Sequence, residues 1–386
     1  MADREPIYLD YNATTPVDPR VLEVMLPYFG ERFGNAASRH HRAGREAAEA
    51  VERARRQVAN LIGADPREIV WVSGATEADN LAIKGVAASP VATARGKHIV
   101  TVATEHRAVL DPCERLEGRG YPVTYLGVDG AGRLDLDELA GAITEQTFLV
   151  SVMHANNETG VIHPIGEIGA ICRDKGALFH TDATQSAGKE PIDVEQRKID
   201  LLSLSAHKLY GPKGVGALFI RRRRPRVRCE PLLDGGGHER GLRSGTLNVP
   251  GIVGLGAAVE ICGEEMAVKQ PRIRALRDRL EARLLAAVPE ARVFGREAPR
   301  LANTSSLSFP GLDAEALIAA MPRIAISTAS ACTSAARQAS YVLAALGASP
   351  EEVDGSIRIS LGRLTRDADI DEATEQIVQA SIALTT

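Results

Sequence analysis

Cysteine is scarce and unpaired in this sequence: the 386 residues hold five, Cys113, Cys172, Cys229, Cys262 and Cys332, with no two close together and no CxxC. An odd number without close pairs excludes a disulfide framework, and the missing CxxC removes the common zinc cage. Long apolar runs are missing too. Stretches such as Ile252 to Val259 and Ile99 to Ala103 fall far short of a bilayer span. The opening Met1-Ala-Asp-Arg-Glu-Pro6 lacks a signal peptide's apolar core, so a cytoplasmic location is the expectation. Neither sign of charge dominates: 46 Lys and Arg face 50 Asp and Glu, a net charge of −4 that gives no global pull toward nucleic acid or an anionic membrane. Nothing repeats at a fixed period and no stretch is low in complexity, which argues against a solenoid or a disordered tail.

What is present is globular in composition, 44% hydrophobic and 25% charged. The length favours two domains. From Arg39 to Ile62 apolar and alanine positions recur at helical spacing, and Gly63 closes the run as a helix cap. Short β-branched runs then alternate with helical stretches, at Ile69 to Ser73, His98 to Ala103, Val123 to Leu126, Phe148 to Met153, Ala177 to Thr181 and Leu201 to Ser205. That alternation predicts an α/β fold with a mostly parallel sheet. A long charged amphipathic helix is expected from about Met266 to Pro289, followed by strands at Ser305 to Phe309, Ile324 to Ser327 and Ile357 to Ser360. The expected division is a large domain over 16–266 and a smaller α+β domain made of 1–15 and 267–386.

Ligands of open α/β sheets sit beyond the carboxyl ends of the strands, and the polar clusters lie there. Ser73-Gly-Ala75-Thr76-Glu77 follows one strand and opens a helix, as a phosphate site or simply as a capped helix start. Asp182-Ala-Thr-Gln185 ends another strand; its acid is a helix cap, a metal ligand or the partner of a protonated pyridine nitrogen. One strand later, Ser205-Ala-His207-Lys208 puts a lysine directly after an apolar run, well placed for a Schiff base and badly placed for a mere solubilising charge. An aldehyde cofactor with a ring nitrogen needs both an amine and a carboxylate.

Together with Tyr8 to Pro16, Thr104-Glu-His106, His154-Ala-Asn-Asn157-Glu-Thr-Gly160 and Gly235 to Thr246, these motifs resemble the cysteine desulfurases, class V of the aminotransferase superfamily and pyridoxal 5′-phosphate enzymes of fold type I. The likeness runs in order from about Tyr8 to Arg363. It implies that Lys208 forms the Schiff base, Asp182 pairs with the pyridine nitrogen, His106 stacks on the cofactor face and Gln185 bonds its phenolic oxygen. It further implies that Ala75, Thr76, Ser205 and His207 hold the phosphate, joined by Thr246 from the second subunit of a homodimer with shared active sites. Asn157 and Arg358 would bind the carboxylate of L-cysteine, Arg358 bidentately. Taken alone, His106 reads as a capped or core residue and Arg358 as a strand-edge charge.

Cys332 stands apart from the other cysteines. It follows the apolar run at Ile324 within small and polar residues, Ser330-Ala-Cys332-Thr-Ser334, a loop context that suits an exposed, mobile nucleophile. The same segment resembles the long-loop, iron–sulfur-assembly branch of the desulfurases. In that resemblance Lys208 serves as base, His106 carries protons to and from the substrate thiol, and Cys332 takes the sulfur as a persulfide for an acceptor protein, with L-alanine released. No metal site is predicted, Cys332 being a candidate transient iron–sulfur ligand only.

Two departures stand out. Thr328-Ala329 replaces the branch's usual Ser-Gly, which should stiffen the loop's first hinge. The sequence also stops at Thr386, shortly after its final helix, where many members carry a longer tail that docks the iron–sulfur scaffold. The acceptor therefore stays open among iron–sulfur assembly, tRNA thiolation, other thio-cofactors and DNA sulfur modification. The basic run Arg221 to Arg228 is expected to be a solvated turn, or else a face for an acidic partner. The competing functions are another class V enzyme, a selenocysteine lyase or transaminase, and a non-catalytic sulfur-binding scaffold.

Overall fold

The computed structural model describes residues 6–329 and 339–385. The chain begins with β1 (Ile7–Tyr8), α1 (Pro19–Met25) and α2 (Arg42–Ile62). The alternating section runs β2 (Ile69–Val72), α3 (Ala75–Ala88), α4 (Pro90–Arg95), β3 (His98–Val102), α5 (Arg107–Glu117), β4 (Val123–Leu126), α6 (Leu136–Ala142), β5 (Thr147–Ser151), α7 (Ile165–Lys175), β6 (Leu178–Asp182), β7 (Leu201–Ser205) and β8 (Gly216–Ile220). After α8 (Val249–Ala287) come β9 (Arg292–Val293), β10 (Thr304–Ser308), α9 (Ala314–Ala319), β11 (Ile324–Ala325) and β12 (Ser327–Thr328). The chain closes with α10 (Tyr341–Ala345), α11 (Pro350–Asp354), β13 (Ser356–Ser360) and α12 (Asp367–Thr385).

Seven strands form one sheet in the order β2-β8-β7-β6-β5-β3-β4. The pairs from β7 outward to β4 are parallel, while β8 runs antiparallel to both β2 and β7. Strands buried on both faces read as unbroken apolar runs, as Ile69-Val-Trp-Val72 and Gly216-Ala-Leu-Phe-Ile220 do. One face carries Trp71, Val100, Val150, Phe179, Leu202 and Phe219 against α2, α7 and the first half of α8. The other carries Val70, Ile99, Leu149, Leu178, Leu201 and Leu218 against α3 and α5.

A separate apolar core joins the four-stranded antiparallel sheet β12-β13-β10-β9 to α9, α12 and the second half of α8. Ile7 and Leu9 belong to this second core, because β1 pairs with β11. The N-terminal segment thus returns from the second body to the first, and Asn12 to Thr15 land beyond the carboxyl ends of β6 and β7.

Two expectations need correction. The long helix starts at Val249, not near Met266, and spans both cores without a break, Pro271 included. The run from Arg221 is not wholly solvated: Arg221 is buried, its guanidinium bonded to the Ile199 and Val194 carbonyls and 3.1 Å from Asp200. Arg222, Arg223 and Arg224 are exposed as expected. Among the described residues no helix is long and apolar enough to cross a membrane.

Candidate active site

The carboxyl ends of β2, β3, β5, β6 and β7 open on one cleft of about 610 Å³. Ala75 and Thr76 reach it from the start of α3, His106 from the cap of α5, and Asn157 from the turn after β5. Asp182 and Gln185 come from the end of β6, and Ser205, His207 and Lys208 from the end of β7. Asp182 is the last residue of its strand and pairs in register with Ser203, so acid and lysine rise from adjacent strands.

Lys208 Nζ donates to the carbonyl oxygens of Asn12 and Ala13, the latter at 2.8 Å. Asn12 O also accepts from Gln185 Nε2 at 3.0 Å, and Asn12 Nδ2 donates to Asn157 O at 3.1 Å. Asn12 therefore ties three predicted site residues together. It lies in the Tyr8 to Pro16 stretch, for which sequence reasoning assigned no role: it holds Lys208 and Gln185 through a backbone carbonyl, which no side-chain pattern announces, and Asn157 through its side-chain amide.

Three buried acids stand behind the cleft. Asp182 accepts the Thr184 N–H at 2.8 Å, yet burial, and then the charge of Asp79, push its carboxyl up to about 6. Glu105, which accepts the Met153 N–H, is driven well above the usual carboxylate range by burial, then by Asp182 and Asp79. Asp79 is fully buried, with no hydrogen-bond partner on either oxygen among the described residues; His180 Nε2 lies 3.5 Å away. Such a set favours a cation arriving at Asp182. Thr184 lines the same cleft, its buried hydroxyl beside the Asp182 carboxylate.

The start of α3 is bare where an anion would sit. Its cap is Gly74, which offers no side-chain acceptor, and the acid of the first turn, Glu77, is held by Arg243 at 2.9 Å and by the Ser73 N–H at 2.7 Å. The floor is glycine by necessity: a Cβ on Gly216 would lie 2.8 Å from Gly74 Cα. His207, pushed down to about 4 by burial and then by the charge of Lys208, is neutral near pH 7, its Nδ1 3.1 Å from Thr14 Oγ1.

His106 both caps α5, its Nδ1 accepting the Ala108 N–H at 3.1 Å, and lines the cleft, so the neutral ring carries its proton on Nε2. Arg358 sits fully buried on β13, outside the cleft lining, with NH2 on Asp10 Oδ1 at 2.9 Å and NH1 on Asn157 O at 3.2 Å. Thr246 is exposed and does not line this chain's cleft. Cys332 lies outside the described residues, but both flanks of its segment are fixed beside the site. Before it, Ser327 Oγ donates to Asp10 Oδ2 at 2.7 Å and the Ala329 N–H bonds Ser356 O; after it, the Tyr341 hydroxyl donates to Glu105 O at 2.6 Å.

The family model for aminotransferase class-V matches residues 7–372. The chain is 56% identical over 374 residues to the cysteine desulfurase IscS of Anaeromyxobacter sp. (strain Fw109-5), covering 97% of this chain and 92% of that protein. Among solved structures, a NifS-like protein superposes with a TM-score of 0.90 at 40% identity, covering 97% of this chain and 98% of the other. SspA in complex with cysteine does so at 0.80 and 38%, covering 92% and 98%. The chain belongs to the class-V aminotransferases and, among them, to the cysteine desulfurases.

Proposed function

We propose that this protein is a pyridoxal 5′-phosphate-dependent cysteine desulfurase that transfers sulfur from L-cysteine to its own Cys332. The observation that carries this reading is the presence of Lys208 and the buried, proton-avid Asp182 at adjacent strand ends of one cleft, beside the uncapped start of α3. The residues fit the cofactor: bare backbone N–H groups and a neutral histidine for its phosphate, and a carboxylate among unrelieved acids for its ring nitrogen. When bound, pyridoxal 5′-phosphate supplies an aldehyde that condenses with amines and a ring that draws electrons from the α-carbon.

The remaining work falls to the chain. Ala75, Thr76, Ser205 and His207 hold the phosphate, with Thr246 contributed by a second copy in a homodimer. Asp182 supplies the countercharge, Gln185 meets the phenolic oxygen and His106 stacks on the ring. Lys208 Nζ tethers the cofactor and takes the α-proton of the substrate. Arg358 and Asn157 orient the substrate carboxylate. His106 Nε2 moves the proton of the substrate thiol. The Cys332 thiolate attacks the substrate sulfur; the carbon–sulfur bond breaks, a sulfur–sulfur bond forms, and L-cysteine plus thiol become L-alanine plus persulfide. An acceptor protein, for iron–sulfur assembly or tRNA thiolation in the cytoplasm, then takes the sulfur. The two apolar cores support a division into 16–266 and 1–15 with 267–386.

L-cysteine given to the holoenzyme should add one sulfur atom to Cys332 by mass spectrometry and leave Cys113, Cys172 and Cys262 unmodified, because burial holds their thiols protonated. Cys332→Ser should keep its cofactor, bind L-cysteine and release no alanine. Full alanine production by that variant would sink the desulfurase reading in favour of a lyase.

A further inference from the structure

Behind the cleft lies a second, smaller cavity of about 40 Å³, and Lys189 and Lys208 both border it. Lys189 is half-buried, and among the described residues no carboxylate lies within ion-pair distance of it. The carboxylate lining this cavity, Glu265, is already held by Arg20 and Arg363. Burial, and then the charge of Lys208, push the Lys189 ammonium down to about 7; Arg358 and the Cys262 thiol on α8 are the other ionisable groups that bear on it. A lysine kept there without a counterion needs another use.

Its side chain's one hydrogen bond among the described residues goes to Gln185 Oε1, at 3.4 Å. The opposite end of the same amide, Nε2, donates to Asn12 O at 3.0 Å. If the amide turned over, Oε1 would face a carbonyl oxygen, acceptor on acceptor, and wherever Lys189 is protonated Nε2 would face an ammonium, donor on donor. Gln185 faces the large cleft while Lys189 stands on the far side of it.

We propose that Lys189 is a positioning residue for the reaction: by gripping Gln185 Oε1 from behind, it keeps Nε2 as the end presented to the cofactor. This rests on the reading above, in which Gln185 meets the phenolic oxygen. A hydrogen bond donated to that oxygen withdraws charge from it and makes the neighbouring cofactor nitrogen more acidic; its loss moves the nitrogen's titration upward.

The test is a pH titration of the visible absorption band of the bound cofactor in holoenzyme variants. Lys189→Met should raise the midpoint by about half a unit or more, and Lys189→Arg should restore it. Gln185→Ala should raise the midpoint too, and adding Lys189→Met to it should move the midpoint no further, since the lysine acts through the amide. An unshifted Lys189→Met midpoint overturns the proposal. So does an equal shift on the Gln185→Ala background, which would mean a direct charge effect. If Lys189→Met does not fold, Lys189→Gln is judged by the same two outcomes. A wild-type protein with no visible cofactor band and no alanine release from L-cysteine overturns the functional reading itself, and this inference with it.

Discussion

The Arg55 guanidinium grips the Glu239 carboxylate through two hydrogen bonds of 2.8 and 2.9 Å, with both side chains buried. Glu239 also accepts the Trp71 N–H at 2.9 Å, and Arg55 lies over the Trp71 ring, 5.3 Å from its centre. Glu239 and Arg240 both hold positive φ, 49° and 59°, a conformation costly for residues with side chains. The ion pair therefore anchors the strained segment that leads to Thr246.

Glu239→Ala should destabilise the protein by up to about 3–5 kcal/mol, because it leaves a buried guanidinium with only Glu52 and the Ile69 carbonyl as partners. Urea unfolding followed by fluorescence of Trp71, the chain's single tryptophan, measures it. A loss below about 1 kcal/mol would contradict the anchoring role.

Lys208→Ala should abolish the protein–cofactor bond that borohydride reduction locks in place, and the cofactor should leave on dialysis. Intact mass after reduction gives the answer. A mass gain mapped to Lys189, which borders the same rear cavity, would move the tether to that residue.

Asp182→Asn should act in opposite directions on stability and on chemistry. The folded carboxyl is raised from 3.8 to about 6, so the folded chain holds this proton more tightly than the unfolded one. That contribution is fully present below the unfolded value and is lost as pH rises through the folded value. Without cofactor, the asparagine variant should be the more stable protein at about pH 7.5, by on the order of 1–3 kcal/mol, and the difference should vanish below about pH 4. With cofactor it should exchange the substrate's α-hydrogen more slowly. Equal urea midpoints at both pH values would refute the linkage.

Arg358→Ala should weaken L-cysteine binding by roughly 2–5 kcal/mol and leave cofactor retention unchanged, since Arg358 does not line the cofactor cleft. The rise appears in KM more than in kcat. Arg358→Lys should recover little, because a point charge cannot reproduce the planar fork whose two nitrogens meet Asp10 and the Asn157 carbonyl.

Asp182 and Lys208 stood out because each follows an apolar run at a strand end, Asp182 after Leu178 and Lys208 after Leu201, whereas His106, taken alone, reads as a helix cap or core residue and was singled out by the family resemblance. The strand bounds at Val123–Leu126 and Leu201–Ser205 coincide with the apolar runs that announced them. The direction of β8 was not legible, since Gly-Ala-Leu-Phe-Ile carries no mark of which neighbours it joins. The early start of α8 was hidden by Gly251, Gly254 and Gly256, which interrupt helical patterning. A Cβ at Gly256 would meet Ala54 at 2.7 Å, so glycine there lets α8 lie close against α2. Thr246 is exposed on this chain, and Cys332 lies outside the described residues.

The unbroken α8 has a consequence for how this protein can change by insertion. Its 39 residues make a rod of about 58 Å, packed by Val249 to Cys262 into one core and by Ile273 to Leu284 into the other. One residue added between Cys262 and Ile273 would turn everything after it by about 100° around the rod's axis. Leu276 and Leu280 would swing out of their core, and the strand bearing Arg358 would be carried away from Asn157. The number of residues between the two cores is thus a rotational phase setting, and even a whole added turn, which restores the phase, would push the second core about 5.4 Å along the rod.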